Sequence, residues 1–188
     1  VRAYDRMAAR SEVAPVGFSM EKISFLIPLN DDGTVAHGPI DLRLGEGKKK
    51  TAPLMAVPQP TKRTSGIAPN FLWDKTAYAL GVTAGDNRRT AREHAAFVES
   101  HREKLADTND PGLRAFLRFL EQWSPAQFTA LGWPEEMKDQ NVVFALERDR
   151  LRNERIHDCA AAKAILAHLT TSGDKIEAPC LITGERGP

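Results

Sequence analysis

Residues 61–74 carry the side chains best suited to binding chemistry in this chain of 188 residues. They read Thr-Lys-Arg-Thr-Ser-Gly-Ile-Ala-Pro-Asn-Phe-Leu-Trp-Asp, so cations, hydroxyls, turn residues and an amide fall within one segment. Gly66 and Pro69 favour special backbone angles, which predicts a loop. Its hydrogen-bonding side chains suit phosphates or the edges of bases, and they are Lys62, Arg63, Thr64, Ser65 and Asn70.

The segments on either side predict two strands that present this loop. Residues 54–57 are an apolar run closed by Pro58 and Pro60, and residues 77–82 resemble a short strand ended by Gly81. A polar loop held between rigid elements is a common way to build a binding site.

Further basic residues are clustered rather than evenly spread. With 26 Lys and Arg against 25 Asp and Glu, the net charge of +1 does not by itself indicate a nucleic-acid binder. The clusters are compatible with one strongly positive face, although each taken alone also fits a solvated loop. We predict phosphate contacts from Lys48, Lys49, Lys50, Lys62, Arg63, Arg88, Arg89 and Arg92.

Two amide side chains are candidates for contacts to base edges. Asn70 and, less directly, Gln59 have the donor and acceptor pair that a bidentate contact needs. For Asn70 the alternative is a side chain that caps its own turn after Pro69.

The sequence does not contain the usual motifs of catalytic or metal-binding sites. Residues 45–51 have the wrong glycine spacing for a nucleotide phosphate loop. Cys159 follows His157 and Asp158 but resembles a small buried residue, and His94 and His101 lack the companions of a metal motif. We therefore predict no catalytic residue, no metal, no cofactor and no enzyme activity.

The order of predicted elements favours an α+β fold. A mainly antiparallel sheet is predicted from residues 20–82 and the late strands. A helical block is predicted to pack on one side of it, as a helix-rich lobe around residues 86–140. The predicted elements are a helix tail at 2–10, a hairpin of 22–29 and 34–44 around a turn at Gly33, helices from Asp86 or Thr90 to 106, from Asp110 to 120, at 124–131 and at 158–169, and strands at 142–146 and 179–183.

Several strings, in order along nearly the whole chain, carry a resemblance to a known family. The sequence resembles the large subunit of the type I-C CRISPR surveillance complex (Cascade), the Csd-type CRISPR-associated family. The matching strings are Lys62 to Gly66, Pro69 to Asp74, Gly17-Phe18 with Glu21 to Ile23, His94 to Phe97, Asp110 to Leu113, Asn141 to Phe144 and Cys180 to Glu185. Because that family's chains are longer, residues 1–188 are expected to form an N-terminal α+β domain of a longer subunit.

The resemblance implies a function in DNA recognition. It implies a subunit beside the guide RNA, a Cas5-type subunit and the backbone subunits, which recognises the protospacer-adjacent motif (PAM) in duplex DNA, helps to start the R-loop and favours recruitment of a helicase-nuclease. Two cysteines and the lack of an apolar run of roughly 18 residues indicate a cytoplasmic protein outside the membrane. The alternatives are a purely structural scaffold subunit that contacts guide RNA and neighbouring subunits, and a metal-dependent nuclease.

Overall fold

The computed structural model describes residues 14–64, 66–85 and 88–173. The predicted helix tail at 2–10, the predicted strand at 179–183, Ser65 and the candidate helix cap Asp86 lie outside these ranges.

A two-stranded antiparallel ribbon is formed by β1 (Phe18–Lys22) and β4 (Leu54–Pro58). The next strand, β2 (Phe25–Leu29), follows after only two residues but belongs to a different sheet. The sequence predicted one strand over residues 22–29. The strand is instead divided at Ile23 and Ser24, whose backbone N–H groups donate to Pro53 and Asn141 and so turn the chain from one sheet to the other.

The second sheet has four strands in the order β3 (Ile40–Asp41), β2, β6 (Asn141–Leu146) and β5 (Trp73–Lys75). Its β2–β6 pair is parallel and its other two pairs are antiparallel. The parallel pair joins residues more than 100 positions apart in sequence, and the connection between them contains most of the helices.

The predicted hairpin after β2 is present. Leu29 bridges Val35, and Gly33 in the turn has a φ of +86°. A Cβ atom at Gly33 would lie 2.5 Å from Cβ of Arg118 and 2.6 Å from the backbone nitrogen of Phe119. Glycine is therefore required both by the backbone angle and by the close approach of a helix.

Six α-helices occur in the described ranges: α1 (Thr76–Ala79), α2 (Thr90–Lys104), α3 (Pro111–Gln122), α4 (Ala126–Ala130), α5 (Glu147–Arg150) and α6 (Ala160–Gly173). The cap of α3 is as predicted, since the Asp110 carboxylate accepts a hydrogen bond from the backbone N–H of Leu113. The strand predicted at 77–82 is wrong. Residues 76–79 form α1, fully buried, because the strand that pairs with β6 is completed earlier, at Trp73–Lys75.

Successive residues of β2 and β6 belong alternately to two hydrophobic clusters, one on each face of the sheet. Phe25, Ile27 and Phe144 belong to the larger cluster, which contains buried residues of α2, α3 and α6. Leu26 and Val143 belong to the smaller cluster with Val57 of β4. The central strands are thus covered on both faces, by helices on one and by the β1–β4 ribbon on the other. This is an α+β architecture, as predicted. No helix in the described ranges is long and apolar enough to span a bilayer.

Candidate nucleic-acid interface

The loop between β4 and β5, residues 59–72, is fixed by the carboxylate of Asp74, which is 1% exposed. Its Oδ2 atom accepts hydrogen bonds from the backbone N–H of Asn70 at 2.9 Å and from Nη2 of Arg63 at 2.5 Å. Burial raises the pKa of Asp74, while Arg63 and the backbone N–H donors act in the opposite direction. The loop is therefore organised around a buried charge that needs a cationic partner.

Arg63 serves as that partner. Besides its bond to Asp74, its Nε atom donates to the carbonyl of Ala68 at 2.7 Å, and its guanidinium lies over the ring of Tyr78 at 4.1 Å. Its side chain is 29% exposed. The guanidinium predicted to hold a phosphate is thus directed into the protein, where it neutralises Asp74.

Asn70 joins the two ends of the loop. It is 4% exposed, and its Oδ1 atom accepts the backbone N–H of Thr61 at 3.0 Å. The Thr61 hydroxyl in turn donates to the carbonyl of Pro69 at 3.0 Å. A bidentate contact from Asn70 to a base would require its Oδ1 atom to leave Thr61. The geometry matches the alternative in which Asn70 stabilises its own loop.

A buried histidine holds the far end of the loop. Leu72 has a φ of +63°, and its N–H donates to Nε2 of His101 at 2.9 Å. Nδ1 of His101 then donates to the carbonyl of Phe97 at 2.7 Å, so this histidine is the neutral Nδ1–H tautomer. The ring is 0% exposed and stacks on Phe71, and burial lowers its pKa to about 3.

Several predicted contact residues remain on the surface beside this loop. Nη2 of Arg89 donates to the carbonyl of Gly66 at 3.2 Å, which brings the start of α2 against the loop. We call the surface so formed the loop–helix patch. Besides Arg63, its exposed predicted residues are Gln59, Lys62 and Thr64 in the loop and Arg88, Arg89 and Arg92 at the start of α2.

The basic run at 48–50 lies elsewhere. Lys48 and Lys49 belong to a short 3-10 turn, Gly47–Lys49, and the Lys49 side chain is exposed. Lys50 instead forms ion pairs with Asp41 at 2.7 Å and Glu136 at 3.4 Å. Its positive charge is therefore balanced within the protein.

Two adjoining cavities connect Lys50 with the loop. One, of 460 Å³, is lined by Lys22, Arg43, Lys50, Lys75 and Asn141 among others. The other, of 220 Å³, is lined by Thr61, Arg63 and Asn70 and shares Lys75 and Asn141 with the first. Four of these residues were not among the contacts predicted from the sequence: Lys22, Arg43, Lys75 and Asn141. Each lies near a strand end and outside the basic clusters of the sequence, and only the pairing of distant strands brings them together.

A third cavity, of 570 Å³, lies at a different place, around the start of α3 and α6. Its lining mixes basic and acidic side chains and includes Cys159. Burial raises the pKa of the Cys159 thiol, which disfavours the reactive thiolate. His157 is 1% exposed, its pKa is lowered by burial to about 4, and its Nε2 atom donates to the carbonyl of Ala56. In the described ranges no group of three or more His, Cys, Asp and Glu is placed to hold a metal ion.

The fold and the site define an α+β protein with a preorganised polar loop beside exposed cations. Over residues 1–188 the sequence matches the family model described as CRISPR-associated protein (Cas_Csd1). The chain belongs to this CRISPR-associated family, which confirms the resemblance drawn from its motifs. A search of curated proteins finds no match.

Proposed function

We propose that this chain is the DNA-binding part of the large subunit of a type I-C CRISPR interference complex, where it recognises the PAM in duplex DNA and helps to start the R-loop. Membership of the CRISPR-associated family supports a place in such a complex. The proposed partners are target DNA, guide RNA, the Cas5-type and backbone subunits and a recruited helicase-nuclease. The observation that carries the proposal is the loop–helix patch, a fixed loop with exposed cations from two elements.

Preorganisation of the loop favours recognition of a short motif. In guided systems base pairing reads most of the sequence, so the protein needs few contacts, and these must be well placed. Asp74, Asn70 and His101 each hold a different part of the loop through hydrogen bonds to its backbone or side chains. A loop already ordered loses less conformational entropy when DNA binds.

The roles within the patch follow from exposure. Lys62, Arg88, Arg89 and Arg92 are assigned to phosphates, because phosphate contacts position a protein without reading sequence. Gln59 is an exposed amide at the start of the loop, and we assign it to a base edge. Arg63 and Asn70 act indirectly by holding the loop. We propose that the chain acts by binding alone and catalyses no reaction.

The test compares variants of the assembled complex on targets with a functional and a non-functional PAM. Lys62→Ala with Arg92→Ala should lower the affinity for both targets by similar factors and reduce the salt slope by roughly one unit for each phosphate that is no longer bound. Gln59→Ala should instead reduce the difference between the targets, by about 1–3 kcal/mol. Arg102→Ala with Lys163→Ala is a matched control for the double variant, since it removes two exposed cations outside the patch.

The two alternatives give different results. If all these variants have the melting temperature of the parent and its affinity for both targets, the chain is a scaffold subunit that does not bind DNA through this patch. Magnesium-dependent DNA cleavage by the complex without the helicase-nuclease, surviving repurification, would identify a nuclease.

A further inference from the structure

We propose that the two adjoining cavities, here called the sheet-end groove, bind the sugar-phosphate backbone of a nucleic-acid strand that continues from the loop. The groove runs from Lys50 past Lys22, Lys75 and Asn141 to Arg63. This proposal rests on the proposed function and extends the nucleic-acid contact beyond the loop–helix patch.

The groove has a rigid floor at one end of the four-stranded sheet. Lys75, the last residue of β5, pairs with Asn141, the first residue of β6. Nδ2 of Asn141 donates to the carbonyl of Lys22 at 2.8 Å, and the N–H of Ser24 donates to the carbonyl of Asn141 at 3.0 Å. The Ser24 hydroxyl also donates to Oε1 of Gln140 at 2.8 Å. The end of β1 is thereby joined to the sheet, so the positions from which Lys22 and Lys75 project are fixed.

The groove contains two lysines whose charges are not balanced locally. Lys22 and Lys75 are exposed, and among residues 14–64, 66–85 and 88–173 neither forms an ion pair. By contrast Arg43 and Lys50 share the carboxylates of Asp41 and Glu136 and add no net charge.

Two carboxylates line the groove, and both are already engaged. Asp74 is paired with Arg63, and Asp139 lies in the other cavity. Both carboxylate oxygens of Asp139 accept hydrogen bonds, Oδ1 from the Thr83 hydroxyl at 2.7 Å and Oδ2 from the N–H of Ala84 at 3.1 Å. The Asp139 carboxylate therefore serves the neighbouring turn. Its charge offsets one of the two lysines, Lys22 and Lys75, so the groove keeps an excess of positive charge from the other.

This arrangement suits a strand of nucleic acid. The cations lie at intervals along an open groove rather than converging on one point, as a single compact anion would require. Gln140 uses its carbonyl oxygen to accept from Ser24, which leaves its amide N–H groups as donors suited to phosphate or sugar oxygens. None of these groups reads a base, so the predicted contact is independent of sequence.

The test uses the assembled complex with Lys22→Ala and Lys75→Ala together. For each phosphate that is no longer bound, the affinity should fall by up to roughly tenfold near 0.1 M salt, and the slope of log affinity against log salt should decrease by about 0.7–0.9. Targets with a functional and a non-functional PAM should be affected equally. Arg102→Ala with Lys163→Ala removes the same charge from exposed positions outside the groove and serves as the control.

Separate measurements on target DNA and on guide RNA identify which nucleic acid occupies the groove. A reduced salt slope for target DNA assigns the groove to DNA, whereas an unchanged DNA slope with weaker, less salt-dependent retention of guide RNA assigns it to the guide. Both results support the proposal. If the double variant melts like the parent and neither slope changes while Lys62→Ala with Arg92→Ala weakens DNA binding, the groove proposal is overturned and the proposed function stands. If no variant of either surface alters DNA binding, the proposed function itself fails.

Discussion

Acidification should destabilise the protein through His101, the buried histidine that accepts the backbone N–H of Leu72. Protonation at Nε2 would remove that acceptor and place a charge among Phe71, Phe97 and Phe116. The folded state therefore disfavours the charged form, and burial lowers the pKa of His101 from 6.5 to about 3.

The sign and size of the effect follow from this shift. Between pH 6.5 and 3 the unfolded chain binds a proton at this site that the folded chain does not, so the free energy of unfolding rises with pH. The contribution is complete above pH 6.5 and is lost as the pH falls through this window. At about 1.4 kcal/mol per pKa unit, lowering the pH to 4.5 removes roughly 3 kcal/mol. Such a loss is a large share of the usual 5–15 kcal/mol of stability.

Other buried groups add to or oppose this slope. His157, with its pKa lowered to about 4, contributes in the same direction over an overlapping range. Asp74 opposes it, because its pKa is raised and its contribution to stability is lost as the pH rises. Asp74 and His157 are present both in the parent and in a variant at His101, so the difference between the two pH slopes isolates the contribution of His101.

The assay is urea denaturation at a series of pH values from 7.5 to 4.5, with the parent and His101→Gln. Glutamine offers an amide oxygen to Leu72 and an N–H donor to Phe97 but does not titrate. Its stability should vary less with pH, by roughly 3 kcal/mol over the range. Because the substitution also changes packing, the slopes are compared rather than the absolute stabilities. A His101→Gln protein with the same pH slope as the parent would refute the assignment.

Three further predictions concern stability. Gly33→Ala should destabilise by more than about 1 kcal/mol, because of its positive φ and the 2.5 Å approach to Arg118, and an unchanged Tm would contradict this. Arg63→Ala should lower the free energy of unfolding by about 2–3 kcal/mol, which is less than for a fully buried ion pair because the Arg63 side chain is 29% exposed. Adding Asp74→Asn should recover part of that loss in a double-mutant cycle measured by urea denaturation. Asp110→Ala should cost about 0.5–2 kcal/mol and Asp110→Asn much less; equal losses in thermal melts would argue against the capping role.

The sequence by itself determined the elements whose causes are local. Asp110 and Pro111 with apolar residues at intervals of three and four specify the start and the buried face of α3. The turn at Gly33 and the apolar strand before it specify the hairpin. The motif strings were also sufficient to identify the family. In each case a few neighbouring residues supply both the backbone preference and the side-chain pattern.

The orientation of the loop residues was decided only by the tertiary structure. Arg63 and Lys62 are adjacent cations, yet the first turns inward to Asp74 and the second remains exposed. Asp74 is buried because β5 pairs with β6, a contact between segments about 70 residues apart. A local pattern cannot show which of two cations will meet a carboxylate buried by so distant a pairing.

The short helix α1 and the sheet-end groove both depend on long-range strand pairing. The apolar residues 77–80 fit a strand or a buried helix turn equally well, and the completion of β5 before them selects the helix. Lys22, Lys75 and Asn141 become neighbours because β1, β5 and β6 end or begin at the same edge. Such positions depend on strand pairing over long sequence separations, which is a property of the whole packed chain and not of any segment within it.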